Sequence, residues 1–517
     1  MKYRVPIGRF RLVLLLLSLA VVLSAPPAVA QNGGPQAEPL ILAPDGVVDV
    51  RHLPPAAHVP AGGTRPVHFP DLNLLIQHKE QLQKGGGIAP APPPTTTISP
   101  TAPSLQLPLG SIQGLQQSDA GGYYPPDTQI AAGAVSGSTY LFETVNLEGR
   151  IWSPGGVTTF DLCSFFGVSC AFLSDPKIRF DPDSGRWFVA AITYQTPTGT
   201  WLLAVSTSSD PTSTYARYTI PSARSTFPDF PALGISGDKV VLTANGFNPG
   251  GVFKGTEFVV LNKSQLVAAQ TVYGQFYGPP QGLFTIQPAF ALPDGSGAVS
   301  SPLYMAAVAF NSATSIRIWQ VTGVPSAGSL ATVSVLGTLS IPTLSTPPNA
   351  QQAGTSALIA TNDNRLLEAV YRNGVLWVSA NSACTPNGDT ATRACLRFMQ
   401  LQISTVSVLQ ALDVGDVGIY YFYPAIQIDA NNNLVSVFSG SSASGFASVY
   451  ASGQSSPGTF GTVTLIQSGQ GPYAPNTARW GDYSGAAIDP SGTTVWVAGE
   501  YALAGNQWGT WIAEVGF

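Results

Sequence analysis

Charge is scarce in this chain. Asp, Glu, Lys and Arg make up 10% of its 517 residues, against about a quarter in an ordinary globular protein, which excludes coiled coils and long salt-bridged helices. Histidine is scarcer still: the four are His52, His58, His68 and His78, so residues 81–517 contain no imidazole. A Ser-His-Asp triad, a Cys-His pair and a His-liganded zinc are therefore excluded from that part of the chain. Only four cysteines occur, as two local pairs, Cys163 with Cys170 and Cys384 with Cys395. This spacing predicts two short-loop disulfides and an oxidising compartment. Beyond the first 30 residues no uninterrupted apolar run approaches the roughly 18 residues of a membrane span, so no membrane insertion of the mature chain is expected.

What is abundant is glycine (54), proline (44) and apolar side chains (44%), a composition suited to many short strands and turns around a large core. Residues 1–30 read as a secretory signal: Lys2, Arg4, Arg9 and Arg11 form the basic end, Leu12–Ser24 the apolar run, and Ala28-Val29-Ala30 the cleavage site. Cleavage leaves 19 of the 23 basic residues against 28 acidic ones, and so acidic a surface argues against nucleic acid. Residues 31–111 read as a Pro- and Ala-rich linker or stalk, ending in GGGIAPAPPPTTTISPTAPS. Within it, Phe69–Lys84 predicts one short helix with Leu72, Leu75, Ile76 and Leu82 on one side.

From residue 125 the sequence repeats. SDPKIRFDPDSGRWFVAAITY, a strand, an Asp-Pro turn and a second strand, recurs as WGDYSGAAIDPSGTTVWVAGEYA near the C-terminus, with weaker copies between. Seven such units, of about 56 residues each, match the size of a four-stranded propeller blade. The expected fold is all-β, a single seven-bladed β-propeller over residues 112–517. Because the last unit has three strands, Ser104–Leu115 is expected to supply its missing outer strand and close the ring.

The segments PPDTQIAAG, SDPKIRFDPDSGRWF, FPDFPALG, NRLLEAVYRNGVLW and ARWGDYSGAAIDP together resemble a broad group of uncharacterised secreted bacterial β-propeller proteins. The resemblance implies a propeller and export, and no particular activity. A looser likeness to the sialidase Asp-box lies in Asp181–Trp187, where Asp and Gly serve the turn and Trp187 the packing.

In a propeller the heads of the first strands crowd round the centre. The repeat alignment places Asp127, Asp175, Asp229 and Asp482 there. Two roles stand side by side for them: a site that binds calcium or, through Asp127, Asp175 and Asp229, performs acid-base sugar chemistry, or caps that bond the backbone of the next blade. Arg479 and Arg365, the latter near Glu368, are the available counter-charges, able to clamp a carboxylate or simply to neutralise the acids. Trp480, Tyr483, Trp508 and Trp511 provide either a sugar platform or packing between blades. The function expected is a monomeric binding or scaffold module, secreted or displayed at the cell surface, for an extracellular polysaccharide or protein. The alternative is a glycoside-active hydrolase. A sialidase-like enzyme is disfavoured, since no cluster of three arginines can be drawn.

Overall fold

The computed structural model describes residues 37–54, 68–83, 102–194, 199–223, 226–278, 283–455, 459–475 and 479–517. The expected signal, residues 1–30, lies outside them. Nearly all regular structure is antiparallel strand, in six sheets. The reason is legible in strands such as Arg186–Thr193, where Trp187 through Ile192 are apolar and buried on both faces. That pattern suits a strand sandwiched between two sheets and leaves no polar stripe for a helix surface.

Four sheets follow one plan, a meander whose first strand is innermost. The first meander is Gln129–Val135, Ser138–Val145, Glu148–Ser153 and Gly156–Asp161. Another begins at Phe284–Pro288, and a third runs from Ile419–Ile428 to Thr464–Gln467. The C-terminal one, Gly485–Ile488, Thr494–Leu503 and Gln507–Gly516, takes its outer strand from Gln106–Gln116. Here Ile112 lies opposite Ile512 and Ser111 opposite Ala513, as the closing-strand expectation required. The backbone N–H of Leu115 donates to Glu143, tying the closing strand to the first meander as well.

The meander starting at Leu173–Asp181 carries a fifth strand. A ten-stranded sheet joins the meanders starting at Phe227–Ile235 and Leu366–Arg372 through the short strand Phe290–Ala291, which runs parallel to both. The inner strands touch in cyclic order: 129–135 meets 173–181, then 227–235, 284–288, 366–372, 419–428 and 485–488, which returns to 129–135. This is a β-propeller arrangement. Both predicted disulfides are present, Cys163 with Cys170 and Cys384 with Cys395, and they suit an oxidising compartment. Among the described residues no helix is long and apolar enough to cross a membrane.

Within 31–111, the described residues 37–54, 68–83 and 102–111 depart from the linker expectation. Ala37–Leu42 pairs antiparallel with Val272–Tyr277, and Gly46–Asp49 with Thr214–Pro221, so each lengthens a sheet by one outer strand. Two short apolar strings on either side of Pro44-Asp45-Gly46 are enough to cover exposed sheet edges. The closing strand also starts at Gln106, before the expected boundary at 112. The predicted helix forms over Leu72–Gln83, but its seated face differs: Leu75 and Lys79 are buried while Leu72 and Ile76 stay exposed. Lys79 Nζ donates to the Pro347 carbonyl at 3.0 Å, Asn349 Oδ1 at 2.8 Å and Thr361 Oγ1 at 3.1 Å. Polar anchoring by one lysine thus takes the place of the expected apolar stripe.

Candidate functional site

Six inner-strand heads carry a non-glycine residue in left-handed conformation: Asp127, Asp175, Phe230, Thr285, Asn362 and Tyr423, with φ from 52° to 57°. For Asp175, Phe230, Thr285 and Tyr423 the strand register shifts around that residue, between Ser174 and Lys177, Asp229 and Ala232, Phe284 and Gln287, and Phe422 and Ala425. The extra residue of each bulge leaves the ladder and turns towards the neighbouring blade. A left-handed non-glycine residue costs on the order of 1–2 kcal/mol, so something must hold it.

At three heads that something is an asparagine of the preceding meander, Asn146 just after its second strand and Asn245 and Asn381 within theirs. Asn146 Oδ1 accepts the Asp175 N–H at 2.8 Å, Asn245 Oδ1 the Thr285 N–H at 2.9 Å, and Asn381 Oδ1 the Tyr423 N–H at 2.7 Å. Their amide groups donate in turn to Asp127 Oδ2, Thr285 Oγ1 and the Thr361 carbonyl. Sequence reasoning missed these residues. Their signal was present in TVN, TAN and SAN, near the ends of three second strands.

Asp127, Asp175 and Asp482 come together as the repeat alignment predicted. Asp127 Oδ2 accepts from Asn146 Nδ2 at 2.6 Å and its Oδ1 from the Asp482 N–H at 2.7 Å. Asp175 accepts from Ser174 Oγ at 2.6 Å and from Tyr483 Oη at 3.1 Å. Asp482 accepts from Asn362 Nδ2 at 3.0 Å and lies 3.8 Å from Arg479 Nη2. Lys177 Nζ sits over the Tyr483 ring. Asp229 falls one residue short of the left-handed position, which Phe230 takes, because the bulge begins after it.

Electrostatics here follow burial. Desolvation, reinforced by the charges of Asp175 and Asp482 and opposed by Arg479, pushes the Asp127 carboxyl up to about 7. Burial brings Lys177 down to about 7 against the pull of Asp175 and Glu368. Glu500, fully buried and accepting the Gly481 N–H at 2.8 Å, is raised well above the usual carboxylate range.

The expected counter-charges are arranged differently. Arg365 makes a two-point ion pair with Asp363, at 2.8 and 2.7 Å, and its guanidinium lies over Phe230 and Phe284. Glu368 instead pairs with Arg179 at 2.5 Å. Arg365 precedes the strand Leu366–Arg372 that carries Glu368, and Asp363, two residues before it in the same loop, takes its guanidinium. Trp480 is buried, donates to Ser439 Oγ at 3.0 Å and meets Tyr473 edge-on; Trp508 is buried with its N–H on the Tyr123 carbonyl. Neither indole presents a face to solvent. Trp511 is partly buried, edge-on to Tyr501.

Calcium would require several oxygens converging on one point at about 2.3–2.6 Å. Among the described residues, the group of acidic, His or Cys side chains whose ligand atoms lie within 4.8 Å of one another is Asp161, Cys163 and Cys170, and there both sulfurs are held in a disulfide. The central aspartates as placed do not fit the ion, being turned towards the hydrogen-bond donors Asn146, Tyr483, Asn362 and the Asp482 N–H.

No known family model matches the sequence, and no curated protein matches it. Among solved structures, the chain is similar to a protein of unknown function from Dyadobacter fermentans, at 10% identity and a TM-score of 0.38, over 80% of this chain and 100% of that one. It is also similar to a Trypanosoma rangeli sialidase, at 11% identity and a TM-score of 0.32, over 74% and 59% of the two chains. A Hadza microbial sialidase matches at 10% identity and a TM-score of 0.34, over 73% of each.

Proposed function

We propose that this chain is a secreted or cell-surface β-propeller of seven blades, a monomer, that acts as a binding or scaffold module for an extracellular polysaccharide or protein. The blade count rests on the cyclic succession of inner strands. One observation carries the functional reading: Asp127, Asp175, Asp229 and Asp482 are 1%, 1%, 4% and 9% exposed. Three of them have oxygens engaged by hydrogen-bond donors within the protein: Asn146 and the Asp482 N–H on Asp127, Tyr483 on Asp175, and Asn362 on Asp482. Acids consumed in holding the ring together are poorly placed to meet a substrate.

One observation favours a glycoside-active hydrolase as the second reading. Asp127 is shifted up to about 7 beside Asp175, and a carboxyl that keeps its proton near neutrality is what the general acid of sugar hydrolysis requires. The discriminating experiment screens the secreted chain against a glycan array and a panel of chromogenic glycosides. Binding without turnover is expected. Turnover that Asp175→Asn abolishes at unchanged thermal stability would establish the hydrolase instead.

A further inference from the structure

Beside the C-terminal end of the helix Leu72–Gln83 lies a cleft of ≈570 Å³, away from the central acids. That volume falls within the roughly 300–1,000 Å³ of small-ligand sites. One wall is Leu82 and Gln83, the second the turn around Gln351 and Leu358, and the third the loop Thr385–Thr392 with Arg393 and Tyr420.

Each wall is fixed from behind. The disulfide Cys384–Cys395 pins both ends of the third wall. Within it, Asp389 accepts from Arg393 Nε, from the Ala391 N–H and from the Gly418 N–H, at 2.8 to 3.0 Å. Arg393 Nη1 donates to Tyr420 Oη at 2.9 Å. In the second wall, Gln352 donates to the carbonyls of Ala357 and Tyr473, and Ala350 pairs with Ile359. Lys79 ties the helix to Asn349, itself part of the cleft. A site built this way loses little freedom when it is filled.

The lining chemistry selects the ligand. Hydroxyls of Thr385, Thr390 and Thr392 and amides of Gln83, Asn349 and Gln351 supply both donors and acceptors. Among the described residues that line the cleft the cation is Arg393, already neutralised by Asp389, so a carboxylate or phosphate meets no free positive charge from them. Leu82 and Leu358 offer small apolar surfaces against which C–H faces can rest.

We propose that this cleft is the binding site for a short, uncharged oligosaccharide segment of two or three sugar units. The assignment rests on the binding-module reading and names its site and ligand class.

The test uses the full secreted chain, titrated calorimetrically with cellotriose, maltotriose and chitotriose as neutral probes and trigalacturonate as the acidic one. At least one neutral probe is expected to bind, and trigalacturonate not to. The variants Gln351→Ala and Thr392→Val, both on the cleft surface, are expected to weaken that binding about tenfold each, the loss of one or two hydrogen bonds, at unchanged thermal stability. Neutral-sugar binding that both variants leave intact overturns the cleft and preserves the binding-module reading. A preference for trigalacturonate overturns the assigned ligand class. Binding of none of the probes by a folded chain overturns the cleft assignment, while the glycan array described above judges the broader reading separately.

Discussion

Asp127 Oδ1 accepts the backbone N–H of Asp482 at 2.7 Å, across the seam where the last inner strand meets the first. One buried carboxylate thereby links the two ends of the repeat region, while its other oxygen holds Asn146. The same side chain that tempts a catalytic reading is a fastener, and its energetic role can be measured.

The pH dependence of stability should show a minimum near neutrality. Asp127 is raised from 3.8 to about 7 in the fold, so between these values the folded state holds its proton more often than the unfolded chain. Stability therefore falls as pH rises through that window. Lys177 and Lys79 are lowered from 10.5 to about 7 by burial, so stability rises again from about pH 7 towards 10.5. Thermal melts are expected to give a higher Tm near pH 5 and near pH 9 than at pH 7. Asp127→Asn should reduce the acid limb, to which the buried Glu257, also raised to about 7, contributes, and Lys177→Met should reduce the alkaline one that it shares with Lys79; a Tm that climbs steadily across the range would refute the scheme.

Asn146→Ala should be among the most damaging polar truncations in the chain. It strips hydrogen bonds from Asp127 Oδ2 and the Asp175 N–H, both buried, and each orphaned group costs about 1–3 kcal/mol. Denaturant titration should show a loss of roughly 2–5 kcal/mol. Asn381→Ala should behave similarly through the Tyr423 N–H and the Thr361 carbonyl. A loss below about 0.5 kcal/mol, the range of ordinary surface changes, would show that these bonds are not what holds the bulges.

Removing the closing strand should convert a well-behaved protein into an aggregating one. A chain starting at residue 118 leaves Gln507–Gly516 as an open edge, since its partner Gln106–Gln116 is gone. Size-exclusion chromatography is expected to show large assemblies for this truncation. Starting at residue 104 instead keeps that seam while losing the strands Ala37–Leu42 and Gly46–Asp49, and should give a monomer of reduced stability. Monodisperse behaviour of the shorter chain would contradict the role assigned to the seam.

Calcium, and its removal by chelator, should leave the melting temperature unchanged. The central carboxylates are turned to Asn146, Tyr483, Asn362 and the Asp482 N–H. A calcium-dependent rise in Tm of several degrees, abolished by Asp127→Asn, would reverse this and restore the metal alternative.

Much of the architecture could be read from residues alone, because doubly apolar strands around tight turns recur along the chain, and because a last unit of three strands calls for an outer strand that Ser104–Leu115 can supply. The site was legible only in part. Asp127, Asp175 and Asp482 were found because an Asp at a strand head is visible, but Asp229 was misaligned by one position, since a bulge adds a residue that no period announces. The pairing of Arg365 with Asp363 was hidden because both lie in the loop before Leu366–Arg372, where no strand period orders the side chains. Asn146, Asn245 and Asn381 went unnoticed because their partners are backbone groups of another blade. Pro-rich composition concealed the strands at 37–49, where six and four residues suffice to pair with an edge already formed.

Those two outer strands have a mechanical consequence. Ala37–Leu42 lies on the sheet that begins at Phe227, and Gly46–Asp49, three residues later, on the sheet that begins at Leu173. The intervening residues 43–45 therefore span the gap between adjacent blades on the outside of the ring, like a buckle across a joint. Separating these two blades means peeling away at least one of two hydrogen-bonded strand pairs before the interior parts; among the described residues no other segment supplies an outer strand to two sheets. Unfolding under load should accordingly begin at a joint that carries neither this buckle nor the parallel pairings of Phe290–Ala291.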